Sequence, residues 1–371
     1  MIIRRFHMED WLASYKDTCR YNLGESGMPD ISVGDLLERC GRSPESLSGI
    51  VLKDHDSCGT ERLRSAIADS YGDDVPFDNI TVTTGTSEAL FILFNLLLDN
   101  RTSVVAPFPA FQALYEVPRA LGADIRFYSM DEANGYRPDP NEIESLIDDT
   151  TAAVIINTPH NPSGVLCPDD TARQIIQTAD RHGAAVISDE HYRYLPHSGL
   201  APLRTLARYG GNVIATGSVT KCFGLIGLRV GWIACDPGMI PRIRDFRDYL
   251  THTLSPVSDY LATLALEDRD TFIKQSGNIL RTNASTLINA VGSNPDLLMT
   301  APEAGVVAFP QYHHPLGSDE LAKKLIERYG VFVLPGSSFE VEGHIRINLG
   351  QPTTVFAKAL DHIQTLLRDM R

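Results

Sequence analysis

Between about residue 80 and residue 235, short apolar runs without polar alternation recur at intervals filled by helix-like stretches. The runs fall at 80–84, 103–106, 125–128, 152–157, 184–188, 213–216 and 230–235, and most are rich in Val and Ile. A strand with one face in water alternates apolar and polar residues, so runs that do not alternate must be covered on both faces. The intervening stretches 88–98, 111–121 and 169–181 read as covering helices. Strands alternating with helices point to an α/β layer around a mainly parallel, mixed sheet. After residue 250 the rhythm changes. Helical stretches at 259–267, 277–291, 318–329 and 354–368 surround short strands at 306–309, 331–334 and 344–348, the pattern of a smaller α+β domain. The expected division is an N-terminal segment 1–35 packing with the small domain, a large domain 36–250 and a small domain 251–371.

With 371 residues, 43% of them hydrophobic and 22% charged, the chain has ordinary globular composition and enough apolar material for a sizeable core. A net charge of −14 and a pI near 5.2 argue against nucleic acid or an acidic membrane surface as partner. The six cysteines show no CxxC spacing and no scaffold density, so reduced thiols, a cytoplasmic location and no metal are expected. Arg4 and Arg5 mix with His7, Glu9 and Asp10, which is not a signal peptide. The longest apolar run, 89–98, is broken by Asn95 and too short to span a bilayer.

In open α/β sheets, ligands collect beyond the carboxyl ends of the strands. The residues found there are Gly85-Thr86-Ser87, Asn161-Pro162-Ser163-Gly164, Asp189-Glu190-His191-Tyr192 and Ser218-Val219-Thr220-Lys221. Gly227-Leu228-Arg229-Val230-Gly231-Trp232 comes just behind. Singly these carry little information, since loop lysines are usually solvated and Asn-Pro-Ser-Gly is a good turn. As a set they supply what pyridoxal 5′-phosphate (PLP) chemistry needs. Lys221 offers an amine to form an imine and to move protons, provided neighbours or desolvation lower its ordinary pKa of roughly 10.4. Asp189, closing the run 184–188, offers a carboxylate to keep the pyridine nitrogen protonated. Asn161 and Tyr192 could donate to the phenolic oxygen, and Phe111 could stack on the ring. Gly85-Thr86-Ser87 leads into a helix whose amides and positive end suit a phosphate, with Ser218 and Arg229 adding a hydroxyl and a fork of donors. Arg346 lies in a strand of period two and shares a face with His344 and Asn348, opposite Ile345 and Ile347. That face is either simply exposed or carries a bidentate clamp for a substrate α-carboxylate.

This set resembles the fold-type I PLP enzymes, the aspartate aminotransferase superfamily of class I and II aminotransferases, over nearly the whole chain. The Ser-x-x-Lys unit ending at Lys221, with Arg229 eight positions on in Gly-x-Arg-x-Gly-Trp, is its most specific part. The resemblance implies a large domain with a mainly parallel mixed sheet, a smaller α+β domain and PLP as cofactor. It implies Lys221 as the Schiff-base lysine, Asp189 at the pyridine nitrogen, Asn161 and Tyr192 at the phenolic oxygen, and Phe111 on the ring. Thr86, Ser87, Ser218 and Arg229 would hold the phosphate and Arg346 the substrate carboxylate. Gly24 resembles an N-terminal glycine that lies near the substrate. A homodimer with shared sites is likewise implied. One position departs. Family members place a tyrosine, which reaches the other subunit's phosphate, five positions before the glycine of a Gly-x-x-x-Leu-Arg segment. Here that segment is Gly59-Thr60-Glu61-Arg62-Leu63-Arg64, and the matching residue is Asp54. An aspartate repels a phosphate but suits a cationic substrate group.

A narrower similarity rests on Met8-Glu9-Asp10-Trp11-Leu12, Pro159-His160-Asn161-Pro162-Ser163-Gly164, and Arg247-Asp248-Tyr249-Leu250-Thr251 with Leu254-Ser255-Pro256. These segments look like the capreomycidine synthases and the streptolidine-forming cyclases of antibiotic biosynthesis. That similarity implies an enzyme taking a β-hydroxylated L-arginine, 3-hydroxy- or 3,4-dihydroxy-, to a cyclic guanidino amino acid by elimination and guanidine addition. Asp30 and Asp54 are candidate partners for the guanidinium. An ordinary amino acid aminotransferase would use the same residues and need a keto acid. A PLP-sensing regulatory domain that binds DNA fits poorly with the acidic charge.

Overall fold

The computed structural model describes residues 2–98, 102–199 and 201–370. A short strand, β1 (Tyr21–Asn22), precedes the seven strands of the main sheet. These are β2 (Ile80–Thr83), β3 (Ser103–Phe108), β4 (Asp124–Ser129), β5 (Thr151–Asn157), β6 (Ala185–Asp189), β7 (Val213–Ser218) and β8 (Gly231–Ala234). Their order is β2-β8-β7-β6-β5-β3-β4, and β8 alone runs antiparallel to its neighbours. Each expected apolar run has become one strand.

The missing polar alternation has the expected cause. All seven residues of β5 are buried. Ala153 and Ile155 join Ile187, Ile214 and Ile233 on one face, beneath helices Thr86–Leu97 and Ala113–Ala120. Val154 and Ile156 join Val186 and Val213 on the other, against helix Asp169–Arg181. That helix turns Ala172, Ile175, Ile176 and Ala179 inward at a spacing of three, one and three, so a single stripe meets the sheet. Each Val or Ile so buried contributes on the order of 1.5–3 kcal/mol.

Six further short strands follow: β9 (Leu297–Leu298), β10 (Val307–Ala308), β11 (Gln311–Tyr312), β12 (Val331–Phe332), β13 (Leu334–Pro335) and β14 (Ile345–Asn348). Three of them form an antiparallel sheet in the order β10-β14-β13. Helices Arg269–Ser293, Ser318–Tyr329 and Thr353–Asp369 accompany them. The helix expected at 277–291 begins at Arg269 instead, because Phe272 and Ile273 extend its buried stripe through a stretch that looks polar in sequence. β1 pairs in parallel with β12, stitching the N-terminal segment onto this layer. The alternation in β14 does not mark an exposed face, since all four of its residues are buried. Its polar side chains meet the N-terminal segment: Asn348 Nδ2 donates to the Gly27 carbonyl at 3.0 Å. Among the described residues, no helix is long and apolar enough to cross a membrane. The six cysteines carry no disulfide.

Candidate active site

Register along the main sheet assembles the site. Asp189 at the end of β6 is paired with Asn157 of β5 on one side and Thr216 of β7 on the other. Directly opposed residues of adjacent strands project to the same face, so the three side chains meet. Thr216 Oγ1 donates to Asp189 Oδ1 at 2.9 Å and Asn157 Nδ2 to Oδ2 at 3.2 Å. His191 Nδ1 lies 3.2 and 3.1 Å from the two oxygens. Asp189 is 1% exposed. The antiparallel sense of β8 matters equally, because it brings the start of that strand to the edge where the other strands end. Gly231 is opposed to both Ser218 and Thr83. A Cβ on Gly231 would stand 2.8 Å from the Thr86 amide nitrogen. Gly85, at φ +82°, begins the helix Thr86–Leu97 with Arg229 Nη2 lying 2.7 Å from where a Cβ would be. Only glycine accepts that backbone with an arginine so close.

At this edge lies a cavity of about 300 Å³. Thr86, Ser87, Phe111, Asn161, His191, Thr220, Lys221 and Arg229 line it from the strand ends; Met8, Glu9, Leu12 and Ser26 line it from the N-terminal segment. Phe111 and Asn161 follow β3 and β5, where the strand order reverses direction, the usual place for a ligand in such sheets. A smaller cavity of about 30 Å³ adjoins it, bounded by residues 25–30, Gln351 and again Thr220 and Lys221.

Lys221 opens onto both cavities, and while its backbone carbonyl accepts from the Met28 amide at 2.8 Å, its side-chain amine has no hydrogen-bond or ion-pair partner among the described residues. Burial, aided by the charges of Arg346 and then Arg229, brings its pKa down to about 8, against the opposing pull of Glu9 and Glu25. Roughly one amine in ten is then neutral at pH 7, hundreds of times more than in a free lysine. Arg346 is 0% exposed. Its Nη1 donates to Asn161 Oδ1 at 3.2 Å and its Nη2 to the Gly24 carbonyl at 2.6 Å, while Nε is buried without a partner among the described residues. Burial lowers its pKa to about 10, still a cation at neutral pH. Tyr192 donates to the Ser26 carbonyl at 3.2 Å, and burial pushes its pKa up to about 12, so it stays a hydroxyl.

The structure therefore gathers most of the residues expected from sequence. Thr86, Ser87, Phe111, Asn161, Lys221 and Arg229 face the main cavity. Asp189, Tyr192, Ser218 and Arg346 do not line it but are buried behind it, bonded to the lining residues His191, Ser26, Thr220 and Asn161, respectively, with Ser218 Oγ 2.8 Å from Thr220 Oγ1. Gly24 packs so closely on Phe332 that a Cβ would stand 2.3 Å from the ring. Asp30 borders the smaller cavity. Asp54 is not brought in: it is exposed, bonded to Thr253 Oγ1 at 3.2 Å, and touches neither cavity of its own chain. Sequence reasoning passed over Asn157, His191, Thr216, Glu9 and Glu25. Polar residues closing apolar runs, as Asn157 and Thr216 do, were the available signal; Glu9 stood in a segment noted only for its charges and its similarity, and nothing in the sequence marked Glu25.

The donor set suits PLP. A buried carboxylate, a lone amine of lowered pKa, and a glycine-started helix with an arginine beside it match the pyridine nitrogen, the aldehyde and the phosphate, respectively.

Comparison with known proteins agrees. The family model for aminotransferases of class I and II matches residues 48–363. Capreomycidine synthase of Streptomyces vinaceus is 30% identical over 357 residues, 95% of this chain and 91% of that protein. A probable aspartate/prephenate aminotransferase of Thermus aquaticus is 27% identical over 360 residues, covering 92% of this chain and 90% of its own. Among known structures, the PLP-dependent cyclase OrfR superposes with a TM-score of 0.90 at 28% identity, covering 100% of this chain and 99% of that one. A PLP-dependent aminotransferase from Streptococcus suis reaches 0.94 at 24% identity, covering 100% and 99%, a likeness of fold. The chain belongs to the class I and II aminotransferases and is an enzyme that uses pyridoxal 5′-phosphate.

Proposed function

We propose that this enzyme is a cyclase that converts a β-hydroxylated L-arginine, 3-hydroxy- or 3,4-dihydroxy-, into a cyclic guanidino amino acid of the capreomycidine or streptolidine type, in antibiotic biosynthesis. The observation that carries this reading is Asp30: a carboxylate borders the cavity beside Lys221, where an enzyme for dicarboxylic amino acids needs a cation. The similarity to capreomycidine synthase and to OrfR supports it. In this reading the protein is a cytoplasmic homodimer, residues 1–35 and 251–371 close over the large domain 36–250, and Asp54 serves the partner's site.

PLP, when bound, supplies an aldehyde that an amine can condense with and a ring that withdraws electrons from Cα. Thr86, Ser87, Ser218 and Arg229 would hold its phosphate, Asp189 its pyridine nitrogen, Asn161 and Tyr192 its phenolic oxygen, and Phe111 its ring. The rest falls to the chain itself. Arg346, fixed by Asn161 and Gly24, directs its remaining donors to the substrate carboxylate and so orients Cα. Lys221, partly neutral at pH 7, removes the Cα proton and later returns it. The β-hydroxyl leaves with one proton as water. A guanidino nitrogen, after losing a proton, bonds to Cβ in its place, an intramolecular attack that positioning favours. The net change is loss of one water, with no co-substrate.

Mass spectrometry of products from arginine, 3-hydroxyarginine and 3,4-dihydroxyarginine tests the proposal. A product one water lighter than a hydroxylated substrate is expected. Consumption of the amino acid only in step with an added keto acid would replace the cyclase by an amino acid aminotransferase, the reading favoured by the aspartate aminotransferase relatives.

A further inference from the structure

The N-terminal segment grips Arg346 twice, and each grip carries a glutamate beside it. Met8 Sδ lies 3.4 Å from Arg346 Nη1, and the next residue is Glu9. The Gly24 carbonyl accepts from Arg346 Nη2, and the next residue is Glu25. Glu9 lines the main cavity and Glu25 the adjoining one, with Asp30 further along its wall. Neither Glu9 nor Asp30 has a hydrogen-bond or ion-pair partner for its carboxylate among the described residues, and Glu25 accepts only from Asn22 Nδ2, at 2.8 Å. A second observation marks the same space as a ligand's place: the unpartnered Lys221 amine opens into both cavities, and the buried Arg346 Nε waits without an acceptor.

We infer that Glu9 and Glu25 form a paired acidic lip that recognises the cationic end of the substrate's side chain. The assignment rests on the proposal that this side chain is a guanidinium. Because each glutamate adjoins a residue that holds the carboxylate-binding arginine, one segment measures both ends of the amino acid: Arg346 takes the anion, and the lip takes the cation beyond it. A guanidinium donates in forks that carboxylates accept, and both glutamates already act on the Lys221 and Arg346 cations around the cavities. Glu25 has its pKa raised by burial and then by Asp30, so a bound cation relieves a cost already present.

L-Citrulline, the uncharged isostere of L-arginine, isolates this effect. Calorimetric titration of both amino acids into apoenzyme and into PLP-loaded enzyme should show arginine binding about ten-fold tighter, the scale of a charge-assisted bond. The advantage should shrink as salt is raised. In the Glu9→Gln/Glu25→Gln double variant the ratio of the two affinities should fall toward one, with thermal melting showing that the protein still folds. Should arginine keep its advantage in the double variant, the lip is overturned while the guanidinium reading stands. A wild-type enzyme that binds aspartate in preference to arginine would overturn both.

Discussion

On the sheet side of the cavity, Asp189, Asn157 and Thr216 stand in one line of strand register, each below 4% exposed, and none can move without shifting a strand. On the N-terminal side, Glu9 projects from a nine-residue helix at the cavity rim, Glu25 sits in a bend, and the segment is held by a two-residue strand pair and by separate bonds to Gln112, Tyr192, Lys221, Gly224, Arg346 and Asn348. Groups that must stay put are built into the sheet, where backbone pairing fixes them at little local cost. Glu9 and Glu25, the groups proposed to select a substrate, are side chains at the cavity edge that can change without altering the buried Met8, Leu23 and Met28 beside them. Loss on the first side should appear mainly in kcat, and loss on the second mainly in KM.

The largest effect should come from Lys221→Ala. Turnover should fall at least a thousand-fold, about 4 kcal/mol of barrier, and the visible band of lysine-linked PLP should vanish while circular dichroism is kept. An unchanged spectrum would refute the assignment of this amine. Next, Asp189→Asn should leave some cofactor binding yet cost more than ten-fold in kcat, above roughly 1.4 kcal/mol; near-normal turnover would break the view that the sheet side governs rate. Arg346→Lys, which replaces a planar fork by a point charge, should raise KM for the amino acid about ten-fold. A fall confined to kcat would put Arg346 with the sheet side instead.

A pH measurement sharpens the same division. Burial and two cations hold Lys221 near 8, and its reactive form is the neutral amine. The rate at which apoenzyme takes up PLP should therefore rise with pH and level off above about 8. Arg346→Met removes the larger of the cationic influences and should move that profile to higher pH; an unmoved profile would show that Arg346 does not set the amine's charge. The smallest effect should be that of Thr216→Val, which keeps shape and removes one of the donors to Asp189. About 1 kcal/mol is expected, read as a modest rise in the PLP dissociation constant.

Much of this was legible in advance, and particular residues show why. The runs at 152–157 and 184–188 announced central strands, because burial on both faces leaves a local trace in composition. Lys221, Asp189, Asn161 and Arg229 could be picked out because each ends a strand or lies within a few residues of a strand end, and strand ends are readable. The burial of Arg346 was not readable. Period two in β14 is the same for a solvated face and for a face packed on a neighbouring segment, and only the chain returning from residue 24 decides between them. Asp54 is a different case: the sequence correspondence points it at the partner's site, and in its own chain it is exposed, bonded to Thr253 and outside both cavities.

The sequence by itself determined the α/β architecture and pointed to the cofactor, because strand patterns lie within ten or so consecutive residues and the motifs at their ends, taken as a set, carry the chemistry. Tertiary structure alone decided which polar residues meet. Asn157 and Thr216 reach Asp189 through register between strands some thirty residues apart, and Glu9 and Glu25 reach the site through an arginine more than three hundred residues away. The physical reason is the range of the forces: apolar periodicity acts locally on secondary structure, whereas convergence of side chains depends on how finished elements pack.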